Sequence, residues 1–86
     1  MSASNGELVQ RVREVVARVL AVDAGAVDPA KRIDQIAEID SLSLAEIASG
    51  LDDAFGIRIS TEALVEATTV GDLIAVVDGL VAEQKA

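Results

Sequence analysis

Asp40, Ser41 and Leu42 stand in a row, and their order carries the clearest chemistry in this chain of 86 residues. An aspartate at the N-cap of a helix accepts a hydrogen bond from an N–H of the first turn, and Asp40 precedes an apolar-periodic run in that position. Ser41 then opens the helix, where unpaired N–H groups and the partial positive charge of the helix dipole favour a phosphate attached to its hydroxyl. A serine becomes a nucleophile only beside a base. The sequence has no histidine, and the nearest Lys or Arg along the chain is Arg32. Ser41 therefore reads as an acceptor of a group, with Ser43 in the same first turn a weaker one; the plainer alternative is that Ser41 only helps Asp40 to cap the helix. Leu42 reads either as an outward apolar contact beside that site or as a core residue.

Composition removes most other chemistry. With no cysteine and no histidine there is no thiolate nucleophile, disulfide, Ser-His-Asp relay or Cys/His metal site. No calcium loop is spelled around Asp52 and Asp53, because the acids and glycine do not recur at the required spacing. The predicted set is no catalytic residue, no metal and no enzyme. Seven basic against fifteen acidic residues give a net charge of −8, which opposes nucleic acid and anionic membranes and steers toward basic protein surfaces. The segment from Ile33 to Ile57 holds Asp34, Glu38, Asp40, Glu46, Asp52 and Asp53 and no base at all. It is either a docking face for a basic partner or a solubilising helix face. No stretch is long and apolar enough for a membrane span or leader, so a cytoplasmic monomer is expected.

The elements that must position these residues follow from periodicity. Ser4 and Glu7 form a capping-box spacing, and Leu8, Val12, Val15, Val16 and Val19 recur on one helical face, so a first helix is predicted over 5–21, with Arg11, Arg13 and Arg18 on the opposite face. The pattern breaks over 22–39, predicting a long loop anchored by Val27, Ile33, Ile36 and Ile39. A second main helix is predicted over 41–55 with Ala45, Ala48, Leu51 and Phe55 as its stripe, Leu44 and Ile47 flanking, and Gly56 as its stop. Ile57 and Ile59 read as a connector, and Ser60 or Thr61 caps a short helix ending near Ala67. Thr69 and Asp72 then cap a last helix over 70–83 with Val70, Leu73, Ile74, Val77, Leu80 and Val81 on one face. The predicted class is all-α: a small four-helix bundle of three main helices and a short third one, with a long loop between helices one and two, as one domain over 5–83 flanked by flexible tails at 1–4 and 84–86.

The run from Ile39 to Leu42, then Leu44 to Ile47, Leu51 to Ile57 with Phe55-Gly56-Ile57, and Thr68 to Leu73 resembles the acyl carrier protein family over nearly the whole chain. The Asp-Ser-Leu triplet is common by itself; its place at the head of an acidic helix, with the later motifs at family spacing, makes the resemblance specific. It implies a non-enzymatic carrier in which Ser41 receives 4'-phosphopantetheine from coenzyme A through a phosphopantetheinyl transferase. The arm's thiol then holds acyl groups as thioesters, which accounts for a chain without cysteine. Asp40 and Leu42 would flank the attachment, and Leu42, Glu46, Asp52, Asp53, Arg58 and Glu62 would meet partners. These partners are acyl-loading enzymes, ketosynthases or other biosynthetic enzymes with basic patches.

Glu38, Ser43, Ser49 and Arg58 depart from residues common in the family and point to a specialised polyketide or fatty-acid-like pathway. The remaining alternatives are a peptidyl or aminoacyl carrier and an unmodified acidic interaction module. The interior lined by Ile47, Ala48, Leu51, Ile59, Ala63, Ala67 and Val70 is aliphatic and could open to shelter an acyl chain, with ordinary close packing as the alternative.

Overall fold

A computed structural model describes residues 2–85, with side chains over 6–84. In chain order it has α1 (Ser2–Leu20), a 3-10 turn (Ala24–Ala26), α2 (Ile33–Ile36), α3 (Ser41–Phe55), α4 (Thr61–Glu66) and α5 (Val70–Lys85). The all-α class holds, and the one departure from four helices is the single turn α2 inside the long loop. The backbone is already helical at Ser2, ahead of the cap expected at Ser4, and remains so beyond 83. Met1 and Ala86 of the expected tails lie outside the described residues.

Aliphatic side chains from every helix meet in one core. Leu8, Val12, Val15 and Val16 of α1 are buried as their spacing predicts, together with Ala17. From α5, Val70, Leu73 and Val77 close the other side. On α3 the buried stripe is rotated from the expected one: Ile47 and Leu51 are fully buried, Leu44 and Ala48 are half-buried, and Ala45 is exposed. The larger Leu44 and Ile47 bury more apolar area than Ala45, so they set the face that turns inward.

Helix α1 stops at Ala21, which adopts the left-handed conformation at φ 59° while Val22 N–H donates to Ala17 O at 2.9 Å. Gly56 ends α3 at φ 63°, with its N–H donating to Asp52 O at 2.8 Å. Ile57 and Ile59 then run through the connector as buried anchors without forming a strand.

The loop over 22–39 is ordered by backbone pairing rather than by its aliphatics alone. Ile33 N–H donates to Thr68 O at 3.0 Å, Val70 N–H to Lys31 O at 3.0 Å and Gly71 N–H to Pro29 O at 2.9 Å. From the other side, Arg13 of α1 donates through Nε to Val27 O at 2.9 Å and through Nη2 to Ala24 O at 3.1 Å. This half-buried arginine was expected on the solvent face. It holds the loop that delivers Asp40 to the head of α3.

Candidate functional site

Asp40 is the N-cap of α3, extended at φ −121° and ψ −178°, and its Oδ1 accepts from Ser43 N–H at 2.8 Å. That bond, reinforced by the Ser43 hydroxyl and the amide dipoles of Asp40 and Leu42, holds the Asp40 carboxyl below the ordinary aspartate range. Ser41 is the first residue of the helix and is exposed. Among the described residues nothing hydrogen-bonds to its hydroxyl. Capping is thus performed by Asp40, and Ser41 keeps its oxygen free on the surface. The Ser43 amide, by contrast, is committed to Asp40 and is not one of the open donors anticipated for a phosphate.

Leu42 is 67% exposed, which decides between its two readings in favour of the surface. Val65 on α4 is 65% exposed and was not singled out from the sequence, where one valine in a short helix gives no periodic signal. Glu46, Asp53, Arg58 and Glu62 are exposed. Asp52 differs. It is half-buried, and its Oδ1 accepts from Ile59 N–H at 2.8 Å, so it fixes the connector to α3 instead of facing outward. Its position one turn from the Gly56 stop places the carboxylate opposite the returning backbone, an arrangement that helical spacing alone does not specify.

Of the residues expected to line an interior that could open, Ile47, Leu51 and Val70 are fully buried in the core. A cleft of about 210 Å³ lies further out, between the loop, α3 and α4, with Ile39, Leu44, Leu64, Val65 and Ala67 as its apolar walls. Of these walls, Ile39 stands two residues before Ser41 in the chain and Leu44 three after it. Among the described residues no group of three or more acidic side chains is gathered to hold a metal ion, and no helix is long and apolar enough to cross a membrane.

The family model for the phosphopantetheine attachment site matches residues 10–77. The chain is 35% identical over 80 residues to the meromycolate extension acyl carrier protein of Mycolicibacterium aurum, covering 93% of this chain and 82% of that protein. It is 34% identical over 80 residues to the protein of the same name from Mycolicibacterium smegmatis, covering 93% and 81%. With the acyl carrier protein of Rhodococcus erythropolis it shares 31% over 83 residues, covering 96% and 91%. With the phosphopantetheine attachment model spanning most of its length and acyl carrier proteins matching it at 31–35% identity, the chain belongs to the acyl carrier protein family.

Proposed function

We propose that Ser41 is the residue on which this carrier bears its 4'-phosphopantetheine, and that the chain performs no catalysis of its own. The observation that carries this reading is the Ser41 hydroxyl, exposed at the first position of α3 and free of any partner among the described residues while Asp40 satisfies the cap. An exposed oxygen without a bond to break fits an attached phosphodiester. When bound, the arm supplies a thiol for carrying acyl groups as thioesters.

The sequence has no histidine and Asp40 Oδ1 is engaged by the Ser43 amide, so in this reading the transferase supplies the base that takes the Ser41 proton. The serine oxygen then bonds to the phosphorus that carries the pantetheine, and the nucleotide half of coenzyme A departs. Exposed Leu42 gives that enzyme an apolar contact beside the serine, and Glu46, Asp53 and Glu62 steer its basic surface. Arg58 sits on the same contact face, whereas Asp52 supports it from within. The same face serves acyl-loading and condensing enzymes in the cytoplasm. Two of the named relatives are meromycolate extension acyl carrier proteins; with the departures at Glu38, Ser43, Ser49 and Arg58, they support a specialised fatty-acid-like or polyketide pathway.

Intact mass after incubation with coenzyme A and a broad-specificity transferase tests the assignment. A gain of one phosphopantetheine in the wild type and none in Ser41→Ala is the expected result. No gain on folded protein would leave an acidic docking module, and a gain retained in Ser41→Ala would move the site to another hydroxyl such as Ser43.

A further inference from the structure

Between Ile33 and Gln84 every charged side chain is acidic except Arg58. The turn that carries this arginine is held by one residue of α3. Asp52 O accepts from Gly56 N–H at 2.8 Å and from Ile57 N–H at 3.2 Å, while Asp52 Oδ1 accepts from Ile59 N–H at 2.8 Å. Ile57 and Ile59 are both buried, and Ser60 Oγ accepts from Ala63 N–H at 3.1 Å to start α4. Arg58 is thus an exposed side chain on a backbone fixed from both sides.

Its guanidinium is uncommitted. Arg11 and Arg13 donate to backbone carbonyls and Arg32 pairs with Asp34, whereas Arg58 has no hydrogen-bond or ion-pair partner among the described residues. Glu83 borders the same groove between this turn and α5, yet no ion pair joins the two. A planar fork of donors suits a carboxylate, and a fixed backbone lowers the ordering cost of using it. Asp53 before the turn and Glu62 after it are exposed and repel a partner's carboxylates. Arg58 attracts them, and it repels the basic groups that its acidic neighbours attract.

We propose that Arg58 determines specificity among partner enzymes: it favours those that bring a carboxylate to the turn between α3 and α4, and disfavours docking patches that are basic throughout. This deepens the docking role given above to the face and rests on Ser41 as the loaded residue, because loading reports the encounter.

The test follows mass gain of the full chain with coenzyme A and a broad-specificity transferase that has a basic docking patch, as a rate across ionic strength. Arg58→Glu is expected to load about threefold faster than the wild type at low salt and to converge with it above roughly 0.5 M, with Arg58→Gln between them. Lys31→Glu changes the net charge equally from the loop before α2 and should gain far less. Forms of the transferase with one patch Lys or Arg replaced by Glu then supply the carboxylate. One of them should reverse the preference and load the wild type about threefold faster than Arg58→Glu. Equal rates for the wild type and Arg58→Glu, an equal gain from Lys31→Glu, or no transferase form that prefers Arg58 would each overturn the proposal. Absence of any mass gain in the wild type would instead overturn the Ser41 assignment beneath it. Should Arg58→Glu not fold, Arg58→Gln decides, since it removes the charge without adding another.

Discussion

Asp72 and Thr69 cap each other at the head of α5: Thr69 Oγ1 accepts from Asp72 N–H at 3.0 Å, and Asp72 Oδ2 accepts from Thr69 N–H at 3.2 Å. The same carboxylate takes the Thr68 N–H, so one side chain ties the rim of the cleft to the last helix. These backbone bonds, that from Thr69 first, hold the Asp72 carboxyl below the ordinary aspartate range.

A carboxyl whose folded value is depressed contributes stability above its unfolded value near about pH 4 and loses it as pH falls through the lower folded value. Asp40 and Asp34 are depressed in the same direction, by the Ser43 amide and by Arg32 respectively. Acid unfolding should therefore steepen below about pH 4. Asp72→Asn should melt a few degrees lower at pH 7, roughly 3–6 °C, and converge on the wild type in acid. Thermal melts across pH check this, and a constant gap between the two proteins would contradict it.

Two glycines in helices should respond to alanine with opposite signs. A Cβ on Gly50 would sit 2.8 Å from Val15 Cγ1, a short buried branch with little room to turn, whereas a Cβ on Gly79 meets nothing within 4 Å. Gly50→Ala is expected to cost about 1–2 kcal/mol, overpacking outweighing helix propensity. Gly79→Ala should gain about 0.5–1 kcal/mol. Urea unfolding of both variants reads the signs directly.

Arg13 joins α1 to the loop through the carbonyls of Val27 and Ala24. Arg13→Gln should lose about 1–2 kcal/mol. Amide exchange over 23–28 should accelerate more than in α5, because the loop loses its strut while the core remains. Uniform acceleration across the chain would show that Arg13 supports the fold as a whole.

Glu46 and Asp53 are exposed on α3, whereas Asp52 is engaged with Ile59. Glu46→Lys or Asp53→Lys should slow transferase loading about fivefold at low salt and approach the wild-type rate above roughly 0.5 M, where surface charges are screened. Asp52→Asn should instead lower the melting temperature. Loading rates measured against ionic strength separate steering from folding, and equal rates at every salt concentration would remove the docking role.

Much of the bundle was legible in the residues because burial acts through periodicity. The apolar spacing of α1 and α5 names their inward faces, and Asp40, Ser60 and the Thr69–Asp72 pair act as caps where their types require it. The inward stripe of α3 lies one step around the helix from the one its alanines suggest, since alanines at helical spacing look like a core face until Leu44 and Ile47 outweigh them. Ser41 was legible too, because its identity and its place after a capping acid are both local properties.

What the sequence determined by itself is the class of the bundle, both ends of α3, the head of α5 and the serine that opens α3, with the caps set by interactions within about one helical turn. The tertiary structure decided the exposure of Leu42 and Val65, the inward turn of Asp52, the strut at Arg13 and the cleft with Arg32 and Thr68 at its rim. Each of these depends on which distant segment packs alongside. Ile33 meets Thr68 and Arg13 meets Val27 only after α1, the loop and α5 have condensed on a common core, and no local spacing encodes that approach.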